Sequence, residues 1–183
     1  MQDKFDLVVI GTGTAGSTVA SQCRAAGWSV AVIDSLPFGG TCALRGCDPK
    51  KVLVGTAELL DFSSRLLEKH TVKGKLTIDW PELIRFKRSF TDPVPKERES
   101  SFEKVGIKTF HGRAKFVDAN SLEVAGRRLN ARFIVIAAGA KPARLGIPGE
   151  EHLINSTQFL ELEPSLPSLL LLAAATSQWN LLM

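Results

Sequence analysis

Two cysteines, Cys42 and Cys47, stand with four residues between them in the run Gly39-Gly40-Thr41-Cys42-Ala43-Leu44-Arg45-Gly46-Cys47-Asp48-Pro49-Lys50-Lys51. A disulfide between them would close a short ring. Such a ring removes little entropy from the unfolded chain, so it is a poor structural staple. A labile, reactive disulfide suits the spacing better. A helix is expected to begin near Cys42, and a helix N-terminus with a nearby Lys50 favours thiolate chemistry. A zinc site would need two further ligands. Cys23 lies on a small-residue helix, where a buried core thiol is expected. His70, His111 and His152 are scattered, so no metal is expected.

A second constellation lies upstream. Gly11, Gly13 and Gly16 form G-x-G-x-x-G, and Asp34 follows 18 residues after Gly16. Gly11 makes the tight turn, Gly13 lets the backbone approach a pyrophosphate, and Gly16 allows close packing of helix on strand. The helix N-terminus presents free N–H groups to phosphates, through Thr14 and Ala15 among others. Asp34 can accept hydrogen bonds from a ribose. The alternative is a strand–helix–strand turn that holds no ligand.

The elements that must position these groups follow from pattern. Leu7-Val8-Val9-Ile10 reads as a buried parallel strand. Ser17 to Ala26 reads as a helix stopped by Gly27, and Ser29 to Ile33 as the next strand, ending in Asp34. A helix runs from Lys50 to about Lys69. Asp79-Trp80-Pro81-Glu82 starts another, with Asp79 as N-cap and a proline in the first turn, running to about Phe90. Pro93 and Pro95 interrupt it before a further helical stretch to Val105-Gly106. Short strands are expected at Ile107 to Phe110, Ala114 to Val117, Ser121 to Val124 and Arg127 to Leu129. A separate buried strand is expected at Phe133 to Ala137. The fold class expected is α/β: a Rossmann-like parallel sheet with helices and a small antiparallel insertion between Ile107 and Leu129.

Composition narrows the classes. The 183 residues are 44% hydrophobic and 23% charged, the mix of a globular protein. The net charge of +4 is spread along the chain, so no nucleic-acid partner is indicated. The longest apolar run, Leu169 to Ala175, is far shorter than the roughly 20 residues needed to span a bilayer, so no membrane partner is expected. Three cysteines argue against a disulfide-stapled secreted fold, and a reducing cytoplasm is the expected setting.

Gly39 to Lys51 matches every fixed position of G-G-x-C-x-x-x-x-G-C-x-P-[SK]-K, the active-site signature of the pyridine nucleotide–disulfide oxidoreductases. That family includes the glutathione, lipoamide and mercuric-ion enzymes. Gly11 to Gly16 resembles its FAD fingerprint, and His111-Gly112-Arg113-Ala114-Lys115-Phe116 resembles its segment beside the adenine. Ile136-Ala137-Ala138-Gly139-Ala140-Lys141-Pro142 resembles the segment that closes its FAD domain, although Ala138 and Ala140 stand where Thr and Ser are usual. The resemblance covers about Lys4 to Leu162.

The resemblance implies roles. Cys42 would be the interchange thiol that attacks substrate, and Cys47 the charge-transfer thiol beside the flavin. Lys50 would stabilise reduced flavin. FAD would be held by Gly11, Gly13, Thr14, Ala15, Gly16, Asp34, Ser35, Gly40, Thr41, Cys47, Lys50, Ala114, Ala138 and Gly139. Electrons would pass from NAD(P)H through FAD and the Cys42–Cys47 disulfide to a disulfide or Hg(II) substrate, small molecule or protein. The family works as a homodimer. Its NAD(P)H domain and its interface domain, which donates a His–Glu pair to the interchange thiol, are not expected within these 183 residues.

The expected division is therefore a FAD-binding domain over 1–162 and an aberrant apolar tail over 163–183. A reading-frame offset would account for the tail. In the frame that takes the third base of each codon, Trp179-Asn180 forces a Glu codon, where the family's next domain carries an acid. The chain would then be an enzyme recorded in truncated form. The alternative is an inactive FAD-binding module or pseudogene product.

Overall fold

A computed structural model describes residues 2–163. The expected tail, and with it the reading-frame offset, lies outside the described residues apart from Glu163. The elements in order are β1 (Gln2–Ile10), α1 (Thr14–Ala25), β2 (Val30–Asp34), α2 (Gly40–Arg45), α3 (Cys47–Glu68), α4 (Trp80–Thr91) and α5 (Val94–Lys104). They continue with β3 (Lys108–His111), β4 (Lys115–Asp118), β5 (Ser121–Val124), β6 (Arg127–Ile136), a 3-10 turn at Glu150–His152 and α6 (Ser156–Phe159).

One six-stranded sheet in the order β3-β2-β1-β6-β5-β4 forms the body, giving an α/β fold. β3, β2, β1 and β6 run parallel, while β5 and β4 continue the sheet antiparallel. The antiparallel part is thus narrower than expected, because Lys108–His111 joins β2 in parallel. The chain order reverses between β1 and β6, and the Gly-rich turn sits at that switch point, where ligands of open α/β sheets bind.

Both sheet faces are covered, which explains the continuous apolar run of β1. Leu7 and Val9 pack with Val30, Val32, Phe38, Phe102 and Ile107, under α1 and α5. Val8 packs with Ala31, Ile33, Phe110, Leu122, Val124 and Leu129 on the opposite face.

Two strand boundaries differ from expectation for one reason. β1 starts at Gln2 rather than Leu7, because Gln2 to Phe5 pair with Arg128 to Ala131. The same pairing, with Ser121 against Asn130 on the other side, carries β6 straight through Asn130-Ala131-Arg132. The two strands expected there are one. Residues without local strand character are held by neighbours on both sides, which no local pattern reveals.

The cysteine helix is also divided. Gly46, at φ −149° and ψ −110°, ends α2 and caps α3, so Cys42 and Cys47 sit on different helices. α4 starts as read, with the Asp79 carboxylate accepting from the Glu82 amide at 3.1 Å. α3 and α4 share a small core of Leu53, Leu83 and Ile84 with Leu160. No helix among the described residues is long and apolar enough to cross a membrane.

Candidate functional site

The Gly-rich turn is built on close backbone approach. A Cβ on Gly16 would collide with the Gly11 carbonyl oxygen, and one on Gly11 would collide with the Ala137 carbonyl oxygen at the end of β6. α1 starts at Thr14, three residues before the expected Ser17. Its first helical bond runs from the Ser17 amide to the Gly13 carbonyl at 2.9 Å. Thr14 and Ala15 are exposed in the first turn, where backbone N–H groups have no intrahelical partner. This is the cradle a pyrophosphate needs.

Thr12 was not singled out by the sequence, yet it organises the turn. It is completely buried. Its amide and hydroxyl both donate to Asp34 Oδ2, at 2.8 and 2.7 Å. The Gly39 amide donates to the Thr12 hydroxyl at 3.2 Å. Asp34 also accepts from the Leu36 amide through Oδ1 at 3.0 Å. The carboxylate expected to meet a ribose is therefore also the clasp of the turn, with Oδ1 the less occupied oxygen. The only sequence signal for Thr12 was its place inside the fingerprint, at a position where the motif accepts any residue.

A cleft of about 460 Å³ opens beside Asp34, lined by Ser35, Phe38, Lys96, Glu99, His111 and Gly112 among others. His111 stacks on Phe38, ring centroids 4.5 Å apart, and its Nε2 lies 2.6 Å from Glu99 Oε1. Lys96 and Glu99 come from α5. They carry no motif, and only the packing of α5 brings them here. Ala114 is half-buried against the Leu122 side of the core. Ala138 and Gly139 are exposed just beyond β6, and Gly139 has φ +77° with open space around it.

Cys42 and Cys47 are exposed free thiols on either side of Gly46. The Cys42 thiol is held above its ordinary pKa, first through hydrogen bonding with Cys47. Desolvation, the neighbouring Cys47 and the Asp48 carboxylate act in the same direction, and Lys51 opposes them. The lysine that acts on the Cys42 thiol is thus Lys51, where the sequence pointed to Lys50. Lys50 is half-buried in the first turn of α3, and Thr41 is exposed on α2. Cys23 is partly buried against the Leu7–Val32 core.

The two constellations touch. A Cβ on Gly40 would collide with the Gly13 Cα and lie 3.0 Å from its nitrogen. A dinucleotide-type turn and a paired-thiol helix with backbones in contact match one sequence profile, described as pyridine nucleotide-disulphide oxidoreductase, over residues 5–168. The chain belongs to this family. Members similar to it include a glutathione reductase from a Nostoc species, 31% identical over 87% of this chain and 35% of that protein. A dihydrolipoyl dehydrogenase of Mycoplasma pneumoniae is 30% identical over 87% of this chain and 36% of that protein. A mercuric reductase of Lysinibacillus sphaericus is 32% identical over 88% and 30%. Among solved structures of the family, the HOCl-induced flavoprotein disulfide reductase RclA of Escherichia coli superposes with TM-score 0.73 at 28% identity, over 87% of this chain and 34% of that one. The chain thus spans about a third of the length of the family members it matches.

Proposed function

We propose that this chain is the FAD-binding and thiol-bearing unit of a flavoprotein disulfide reductase, with residues 1–162 as that unit. The observation that carries the reading is the backbone contact between Gly13 of the dinucleotide-type turn and Gly40, which leads into the segment that bears the exposed free thiols Cys42 and Cys47. The residues fit the cofactor. Gly13 leaves room for a pyrophosphate, Gly11 and Gly16 permit the tight turn and the close packing that place it, and Thr14 and Ala15 offer it amides. Asp34, Ser35 and the His111 cleft suit the adenosine end. Gly40, Thr41, Cys47 and Lys50 suit the flavin end, with Ala114, Ala138 and Gly139 around the rim. FAD, when bound there, supplies two-electron exchange between NAD(P)H and the cysteine pair.

The chain's own residues then perform thiol–disulfide exchange. The Cys42 thiolate attacks one sulfur of a substrate disulfide, forming a mixed disulfide and releasing the other half as a thiol. Cys47 attacks the Cys42 sulfur, which releases the second half and closes the Cys42–Cys47 disulfide. Two electrons leave the pair, and the two thiol protons end on the products. The raised Cys42 pKa means that its proton must be taken by a base before the first attack. A base from elsewhere in the assembly, such as the family's homodimer provides, suits that need. A cytoplasmic setting keeps both thiols available.

Flavin fluorescence tests the reading. Added FAD should be quenched saturably by the chain, and the Cys42–Cys47 disulfide should form and reduce reversibly in a glutathione redox buffer. Absence of saturable quenching ends the proposal.

A further inference from the structure

We propose that Thr12 is a positioning residue that sets the reactivity of the Cys42–Cys47 pair from the dinucleotide turn. The inference rests on reading Cys42–Cys47 as the exchange pair. Thr12 is completely buried, and every polar atom of its side chain is engaged. Its hydroxyl donates to Asp34 Oδ2 at 2.7 Å and accepts from the Gly39 amide at 3.2 Å. One hydroxyl therefore spans three segments: the turn after β1, the end of β2, and the residue that leads into α2. The bond to the carboxylate is charge-assisted, and polarisation along the chain strengthens the next bond to Gly39.

Gly39 is where this matters for the thiols. It precedes α2 at φ +133°, a conformation that favours glycine, and it is the N-cap residue of that helix. Cys42 lies three residues further on. No side chain caps α2, so its direction depends on what holds Gly39 and Gly40. Gly40 is fixed by contact with the Gly13 backbone, and Gly39 by the Thr12 hydroxyl. Loss of that hydroxyl frees the leading end of α2 and lets the Cys42 sulfur move away from Cys47. The influence of Cys47 that holds the Cys42 thiol above its ordinary pKa then weakens.

The test compares Thr12→Val with Thr12→Ser in the full chain without cofactor. Valine keeps the shape and removes the hydroxyl, while serine restores it. Melting temperature confirms that each variant folds. Hydrogen exchange of the 39–45 amides and the pH dependence of Cys42 alkylation by iodoacetamide are the readouts. In Thr12→Val, exchange should quicken about fivefold, the factor one hydrogen bond of ordinary strength is worth, and the alkylation midpoint should move to lower pH. Thr12→Ser should match the native chain in both. A native exchange rate and pH profile in Thr12→Val, or failure of Thr12→Ser to restore them, overturns the inference. If Thr12→Val does not fold, Asp34→Asn carries the test. It weakens the same clasp and should shift both readouts the same way by less, and an unchanged profile overturns the inference. FAD titration of the native chain is read separately. Failure to bind FAD while thiol reactivity still follows Thr12 removes the cofactor reading and leaves the positioning role standing.

Discussion

Gly13 and Gly40 meet backbone to backbone, with no room for a side chain on Gly40. Gly13 belongs to the dinucleotide turn and Gly40 to the start of the cysteine-bearing helix. Gly40 also holds φ +72°. Alanine there should strain the backbone and push the two segments apart, costing about 2 kcal/mol or more. Gly40→Ala should weaken FAD quenching sharply. By contrast, Gly55 is exposed in the middle of α3 with nothing near it. Gly55→Ala should raise stability by about 0.5–1 kcal/mol in urea titration and leave FAD binding alone.

The Cys42 thiol should alkylate at higher pH than an ordinary cysteine, because its bond to Cys47 and the neighbouring negative charges favour the protonated form. Asp48→Asn removes one of those charges, so the midpoint should fall. Lys51→Gln removes the opposing positive charge, so the midpoint should rise. Rates of iodoacetamide labelling against pH, read by peptide mass, check both signs. Shifts in the reverse directions would show that these side chains do not act on Cys42 as described.

α4 grips the segment that follows α6. Lys87 is completely buried, and its Nζ donates to the Leu160 carbonyl at 2.9 Å and pairs with Glu161 at 2.6 Å. Trp80 Nε1 donates to the Leu162 carbonyl at 2.8 Å. Lys87→Met keeps the apolar stem but leaves the buried Leu160 carbonyl unpaired. The cost should be about 1–3 kcal/mol, less than for a fully buried ion pair because Glu161 can rehydrate. Arg88 pairs with Glu161 and Glu163 at the surface, and Arg88→Ala should cost less than about 1 kcal/mol. Chemical denaturation of the two variants side by side decides the ranking.

Acid should loosen the β1–β2 end of the sheet. Asp6 accepts from the Ser29 hydroxyl and amide, and these bonds hold its pKa below the ordinary value. A folded pKa below the unfolded one means that the ionised form favours the folded state. The contribution is present above the ordinary carboxylate range and is lost as pH falls through the lowered value. Asp118, held low first by the Asn120 amide, behaves alike. Asp6→Asn should flatten the acid limb of the melting temperature against pH; an acid limb identical to the native one would rule Asp6 out as a contributor.

Much of the site was legible because its chemistry is local. The glycine spacing, the acid at the end of β2 and the paired cysteines each lie within a short stretch, and each residue type does something its neighbours cannot. The Asp79 cap and the buried strands were legible for the same reason. The extension of β1, the single β6 and the break at Gly46 were not. The strand features depend on partners more than a hundred residues away, and the break on a backbone conformation that sequence does not mark.

The amino-acid sequence by itself determined the α/β plan and the resemblance to the family, because these depend on period, spacing and residue chemistry. Only the tertiary structure decided that Asp34 clasps Thr12 and that Gly13 bears on Gly40. Those relations are distances across the switch point, and the chain acquires them only when β1, β2 and α2 are brought together.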